Sequence, residues 1–254
     1  VFCSENLVAS ARAIDCAKAL DYRLNTWLAR NVVSRAAGAH APSAFGAAGY
    51  HGRSGAVRVL RPPFVMPDCA TFDTGLADRL PFPYLLHFGV FNAIKGFDRI
   101  VDAAAVFLRR VPDGRLVLVG RHAAFAEGRT SVAMVDALRG EFGERIVCHE
   151  AVSQAALFPV IRRARGVLFA SRSDNFPNAL QEAMALGAVV LGPRDASFDE
   201  LLVDGENGLL FNPEEPQALA AAMEHLWRLD AAERDRLTAN AARSIAARRD
   251  IPSC

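Results

Sequence analysis

The chain has 254 residues, 52% of them hydrophobic and 22% charged, which is enough to bury one large core or two modest ones and too apolar for disorder. Its 29 Lys and Arg nearly balance 28 Asp and Glu, for a net charge of +1, so it lacks the basic footprint that a nucleic acid partner requires. Cys3, Cys16, Cys69, Cys148 and Cys254 are odd in number, widely separated and never in a CxxC pair; this argues against a disulfide framework or a thiolate metal site and fits a reducing cytosol.

In chain order, the first 36 residues or so are Ala-rich, with Leu20, Leu24, Trp27, Leu28, Val32 and Val33 at helical spacing, so the pattern predicts a helix from about residue 5. Glu5, Arg12, Asp15 and Lys18 interrupt its apolar pattern, and no signal peptide is expected there. No run anywhere approaches the roughly 18 apolar residues of a membrane span. The chain opens on Val1 in mid-pattern and closes on DIPSC just after a helical stretch, so both ends are expected to be cut from a longer protein. The segment GAHAPS predicts a short strand and turn, followed by a brief helix to about Gly52 and a strand at residues 56–60. Residues 61–83 carry five prolines and several Asp residues and read as a linker between domains.

From residue 84 onward, short and nearly all-apolar strands alternate with helices. Strands are predicted at residues 84–89, 115–120, 145–149, 166–171, 188–192 and 208–211. Helices are predicted near 97–110, 130–142, 153–164, 197–203, 215–228 and 231–248, with a further one inside 171–187 that has Pro177 in its first turn. Phe97, Ile100, Val101, Ala104, Phe107 and Leu108, three and four apart, give the first of these helices one apolar face. The alternation predicts an α/β fold with a Rossmann-like, doubly wound parallel sheet covered on both faces. In such sheets ligands bind outside the carboxyl ends of the strands, so the loops that follow the strands are where chemistry is expected.

Four of those loops carry candidate residues. SRSDNFPNALQEAMALG, residues 171–187, has Asp174 ahead of a helix and Glu182 about one turn inside it, with Pro177 suited to the first turn. Acids there are either ordinary helix-start residues or hydroxyl acceptors beside a phosphate held by the free amides of Asn178 and Ala179. In VFNAIKGFD, Lys95 stands at a helix start, where the dipole disfavours a cation; it is either solvated or partnered by an anion. The loop RHAAFAEG lacks a GxGxxG phosphate turn, leaving Arg121 and His122 as residues that could line a site. FDELLVDGENGLLF places Asp199 and Glu200 before Gly205 and Gly208, which read most simply as turn glycines.

Taken in this order, the loops resemble the C-terminal domain of family 4 glycosyltransferases, retaining enzymes built from two Rossmann-like domains, the GT-B fold. The resemblance covers about residues 84–230 and is most specific over 166–211. There, two acids are separated by seven residues, the second of them opening Glu-Ala-Met-Ala-Leu-Gly, and DELLVDGENGLLFNPEEPQALAAAM is similar to the family's downstream segment. LLHFGVFNAIKGFDRIVDA is similar to its strand, Gly and Lys-Gly segment. The resemblance implies residues 1–62 as a remnant of the N-terminal, acceptor-binding domain, 63–83 as interdomain linker, and 84–250 as the nucleotide-sugar-binding domain. It implies transfer of a hexose from a UDP- or GDP-linked donor to a glycan or lipid-linked acceptor, with no cofactor and no metal ion. Catalytic roles would fall to Asp174, Lys95 and Glu182. Donor contacts would come from Gly89, Lys95, Asp174, Phe176, Asn178, Ala179, Glu182 and Arg121, with Lys95 on the diphosphate, Asp174 on the sugar and Glu182 on the ribose.

The expected setting is the cytoplasm, at the inner face of a membrane approached through the missing domain, in the synthesis of cell-surface polysaccharide. The chain alone is expected to bind donor weakly and to transfer nothing. Three positions depart from the family pattern: Asp174 where Glu is commoner, Val90 where an Arg is usual, and Glu150 where Gly is common. Loss of the Arg leaves Arg121 or Arg172 to supply the second cation. Two other readings stay open, a nucleotide-sugar 2-epimerase of the same architecture and a donor-binding pseudo-enzyme; a nicotinamide oxidoreductase lacks its glycine fingerprint.

Overall fold

The computed structural model describes residues 38–50, 57–60, 68–125, 128–195 and 197–249, together with residues 24, 27–29, 31–33 and 35, which are helical. Most of the helix expected from residue 5, residues 61–67 of the expected linker, and Cys3, Cys16 and Cys254 lie outside the described residues.

Two parallel sheets make up the described chain. The smaller pairs β1 (Ala39–Ala41) with β2 (Val57–Val59), and α1 (Ala44–Ala48) lies between them in sequence. The larger has six strands: β3 (Leu85–Phe91), β4 (Leu116–His122), β5 (Ile146–Glu150), β6 (Gly166–Leu168), β7 (Val190–Pro193) and β8 (Leu209–Phe211). Their spatial order is β5-β4-β3-β6-β7-β8, parallel throughout. The connecting helices are α3 (Phe97–Arg110), α4 (Ser131–Phe142), α5 (Gln154–Arg163), α6 (Asn178–Ala185), α7 (Ala218–Arg228) and α8 (Ala231–Arg249), preceded by a one-turn α2 (Gly75–Asp78).

Alternating side chains of the strands build a core on each face. On one face Leu85, Phe91, Leu116 and Leu118 pack against Ile100, Ala104 and Phe107 of α3, Leu138 of α4 and Met223 of α7. On the other, Leu86, Phe88, Val117 and Val119 meet Val160 and Ile161 of α5, Leu180, Ala183 and Met184 of α6, and Ile245 of α8. Strands buried on both sides can be apolar at every position, which is why their sequences show no period-2 alternation. Each fully buried aliphatic or aromatic side chain contributes about 1.5–3 kcal/mol relative to exposure.

The expected strands and helices of this unit are present, with shifted ends. β3 and β4 run two residues past the predicted ends, so Val90, Arg121 and His122 are strand residues and not loop residues. The predicted helix near 197–203 is a single 3-10 turn, Phe198–Glu200. Pro177 does not occupy the first helical position of α6; it is the N-cap, with ψ at 90°.

Residues 68–80, expected as plain linker, dock onto the six-stranded unit for an identifiable reason. Pro159 sits inside α5 and has no N–H, so the carbonyl of Ala155 loses its helical donor. The amide of Asp73 donates to that carbonyl at 2.9 Å. Phe72 lies edge-on to Phe158 beside it, with ring centroids 5.9 Å apart, and Leu76 and Ala77 of α2 enter the core. Among the described residues no helix is long and apolar enough to cross a membrane.

β3 and β6 are paired only at Leu85–Gly166 and Leu86–Val167, after which they diverge. His87 spans the opening gap: its buried Nδ1 donates to the Leu168 carbonyl at 2.9 Å, and its ring lies 5.8 Å from each ring of the stacked Phe91–Phe97 pair. Nε2 has no partner among the described residues, and burial holds the imidazole neutral, its pKa pushed down to about 4. The unfolded chain takes up this proton near pH 6.5 and the native chain only near 4, so His87 favours the native state fully above about pH 6.5. That contribution falls as pH drops from 6.5 toward 4. Between pH 7.5 and 5.0 the wild type should therefore lose about 2 kcal/mol more unfolding free energy than His87→Gln, measured by urea denaturation. Equal losses would show that His87 titrates normally in the fold.

Candidate functional site

β3 connects through α3 on one face of the sheet to β4 on its left, whereas β6 connects through α6 on the opposite face to β7 on its right. Right-handed crossovers running in opposite directions from two adjacent strands leave a crevice above their carboxyl ends. The segment after β3, residues 92–96, and the segment after β6, residues 169–177, face each other across it.

Backbone contacts fix this meeting. The amide of Arg172 donates to the Ile94 carbonyl at 2.8 Å, and Asn92 Oδ1 accepts from the Lys95 amide at 2.8 Å. Gly96 takes a left-handed conformation, φ 67°, and a Cβ there would stand 1.9 Å from the Ala170 carbonyl oxygen. Only glycine permits both the backbone angle and the contact.

Two ion pairs lie at the junction. Lys95 Nζ meets Asp174 Oδ2 at 2.6 Å, with Asp174 14% exposed and Lys95 43%. Arg172 grips Asp98 with both guanidinium ends, each at 2.6 Å, and donates to the Ala93 carbonyl at 2.7 Å. That pairing holds the Asp98 carboxyl below its usual range against the opposing effect of burial. Arg172 thus braces the segment before α3 and is committed to Asp98, so it is not a spare cation. Behind Asp174, the buried hydroxyl of Ser197 donates to its main-chain carbonyl at 3.0 Å.

α6 opens on the same crevice. Pro177 supplies no side-chain cap, and its carbonyl accepts from the amides of Leu180 and Gln181. Among the described residues no carbonyl or side chain bonds the amides of Asn178 and Ala179, which leaves the positive end of the helix dipole open. Glu182 follows in the second turn, half-buried; burial raises its carboxyl pKa and a hydrogen bond from Gln154 Nε2 to Oε1, 3.0 Å, opposes the rise.

Val90 and Arg121 are partners in register on β3 and β4. They continue the alternation of Phe88 and Val119, so both belong to the face that carries α5 and α6. Arg121 is exposed, with no hydrogen bond or ion pair among the described residues. His122 belongs to the other face: Nδ1 donates to Ser131 Oγ at 3.0 Å, Nε2 lies 3.9 Å from Cys148 Sγ, and the ring meets Phe91 edge-on. Gly89, with φ 123° and open space where a Cβ would be, belongs to the crevice floor. Phe176 is half-buried in the segment before α6.

The sequence matches Glycosyl transferases group 1 over residues 82–228. The chain belongs to that family. It is 31% identical over 184 residues to D-inositol 3-phosphate glycosyltransferase of Xylanimonas cellulosilytica, covering 69% of this chain and 42% of that protein. It is 27% identical over 152 residues to GDP-mannose:cellobiosyl-diphosphopolyprenol alpha-mannosyltransferase of Xanthomonas campestris, covering 60% and 39%. The chain therefore spans about two fifths of the length of these curated relatives. Among solved structures, sucrose-phosphate synthase from Thermosynechococcus elongatus superposes with a TM-score of 0.72 at 22% identity, over 89% of this chain and 57% of that one. Anabaena HepE in complex with UDP-glucose gives 0.71 at 22% identity, over 89% and 64%. These likenesses show a GT-B-type, Rossmann-like fold.

The residues singled out in sequence thus fall into two groups. Lys95 and Asp174 touch, and Asn178 and Ala179 lie on the same connection as Asp174; no hydrogen bond or ion pair joins Glu182 to Lys95 or Asp174 among the described residues. His122 is turned to the other face, and Glu150 is an exposed strand end in register with Gly120. The DGENG segment is structural: Asn207 bonds the Val203 amide, the Leu201 carbonyl and Ser244 of α8, while Asp204 Oδ1 accepts from the Leu210 amide. Sequence reasoning missed Asp98, Ser197 and Gln154, each of which stands in the first turn of a predicted helix and shows nothing unusual there. It also missed that Glu200 accepts from the amides of Ala44 and Phe45 at 3.1 and 2.9 Å, tying α1 to the 3-10 turn.

If the Asp98–Arg172 pair sets the height of the Lys95 segment, a double-mutant cycle with Asp98→Ala and Arg172→Ala should give a coupling of about 1–3 kcal/mol in unfolding free energy. Additive single effects would show that the two side chains merely lie side by side.

Proposed function

We propose that the chain provides the nucleotide-sugar half of a retaining glycosyltransferase that moves a hexose from a UDP- or GDP-linked donor to a glycan or lipid-linked acceptor. The observation that carries this reading is the Lys95–Asp174 pair above the crevice between β3 and β6, beside the uncapped end of α6. A cation next to open helix amides suits a diphosphate, and an acid next to that cation suits the hydroxyls of the sugar it carries. The donor classes follow those of two similar proteins: HepE is solved with UDP-glucose, and the Xanthomonas relative is named for GDP-mannose and a diphosphopolyprenol-linked acceptor.

In this reading Lys95 Nζ leaves Asp174 for the diphosphate when donor binds, and the amides of Asn178 and Ala179 take further phosphate oxygens. Arg121 is the second cation in place of the Arg usual at position 90. What supports this is its register beside Val90, its place on the α5 and α6 face, and its lack of another partner. Charge builds on the departing diphosphate as the bond to the sugar breaks, so fixed positive groups there stabilise the transition state more than the ground state. With Lys95, Arg121 and the helix dipole in that role, the proposed chemistry calls for neither a metal ion nor another cofactor. Asp174, released from Lys95, accepts from the hexose hydroxyls, Gly89 lets the sugar approach the strand end, and Phe176 borders it. Glu182 accepts from the ribose. Retention of configuration calls for the acceptor hydroxyl to arrive on the side from which the diphosphate leaves, where the departing phosphate oxygen takes its proton. A lipid-linked acceptor would set this activity at the cytoplasmic face of a membrane, in the assembly of surface polysaccharide.

Calorimetric titration with UDP-glucose and GDP-mannose tests the site. One of the two should bind, and Lys95→Ala and Glu182→Ala should each weaken it at least about tenfold, the value of one charge-assisted hydrogen bond. Equal affinities for all three proteins would overturn the assignment.

A further inference from the structure

Glu182 is the acid on which ribose recognition rests in the reading above, yet its carboxylate lies in a half-buried position with a single hydrogen-bond partner among the described residues. That partner, Gln154, is the first residue of α5, which packs on the same face of the sheet as α6, and lies 28 residues away in sequence. Ser153 fixes where α5 begins, its hydroxyl accepting from the Ala156 amide. The backbone therefore presents Gln154 at a defined place.

A carboxylate accepts hydrogen bonds only, so the 3.0 Å contact to Oε1 identifies the Gln154 group as the NH2 end of the amide. Two consequences follow. The carboxylate is held in one rotamer, with Oε2 left as the acceptor for a ligand hydroxyl. The donated bond also favours the ionised form against the burial that disfavours it. Without it, Glu182 would gain rotamer freedom and hold its proton to higher pH.

We infer that Gln154 is a positioning residue for ribonucleoside recognition: it orients the Glu182 carboxylate so that one oxygen remains to accept from a ribose hydroxyl. The inference rests on the donor-site reading and adds to it a residue on a different connection of the sheet. It makes the wall formed by the start of α5 part of the discrimination between ribose and deoxyribose. Gln154 is exposed and begins its helix, so truncating it does not threaten the core.

The test is calorimetry with UDP and GDP against their 2′-deoxy counterparts, at pH 8 and pH 5.5, on the wild type, Gln154→Ala, Gln154→Glu and Glu182→Ala. The wild type should prefer the ribonucleotide by about tenfold or more, as expected for a hydrogen bond to a charged group. Glu182→Ala should remove the preference. Gln154→Ala should cut it to a few-fold at pH 8 and cut it further at pH 5.5, because the unsupported carboxyl holds its proton to higher pH. Gln154→Glu, placing like charges together, should lie below Gln154→Ala at pH 8. If Glu182→Ala loses the preference while Gln154→Ala keeps both the wild-type ratio and its pH dependence, the positioning role is wrong and the donor site stands. If Glu182→Ala keeps the preference, the ribose assignment itself is wrong and the inference falls with it.

Discussion

The molecule turns on one constraint: two adjacent parallel strands, β3 and β6, must send the chain to opposite faces of the sheet. Beyond Leu86 and Val167 they can no longer pair, and the two segments that leave them have to be held together by other means. His87 reaches across to the Leu168 carbonyl below the gap, Gly96 lets α3 start directly against Ala170, and Arg172 anchors to Asp98 and the Ala93 carbonyl above. Each of these contacts joins β3 or the stretch that follows it to β6 or the stretch that follows it. Together they bring Lys95 and Asp174 into contact across 79 residues of sequence. The site is therefore a consequence of the winding of the sheet, and the helix ends that open on it are placed by the same winding.

Most of the fold was legible because doubly buried strands and amphipathic helices leave strong local signals. Phe97, Ile100, Ala104, Phe107 and Leu108 defined α3 with the bounds observed. Strand ends were less legible, since Val90, Arg121 and His122 resemble loop residues and only pairing in register extends β3 and β4 over them. The docking of the linker was not legible for a similar reason: its prolines mark irregular backbone, but the docking depends on a carbonyl freed by Pro159, some 80 residues later. In the candidate site, Lys95 was legible because a cation at a helix start is locally odd, and Asp174 and Glu182 because their seven-residue separation resembles the family's pattern. Gln154, Ser197 and Asp98 were not, because each is unremarkable in its own segment and acquires a role only from a partner far away in sequence. The DGENG segment shows the reverse error: Asn207 and Asp204 are conspicuous in sequence, yet their bonds go to the backbone and to α8.

Family membership, the GT-B-type fold and the crevice at the switch point support one electrostatic account of the site. Lys95 is held by Asp174, which lies on the segment leading into the open end of α6. A diphosphate must then compete with the carboxylate for the ammonium, and it must also approach that carboxylate's negative charge. The most direct test is therefore the affinity of UDP or GDP, which carry no hexose, for Asp174→Asn. The account predicts binding about three- to tenfold tighter than to the wild type, because the competitor is gone and no sugar contact is lost. Binding weaker than to the wild type would contradict it, since Asp174 would then be helping to hold the diphosphate instead of competing for its lysine.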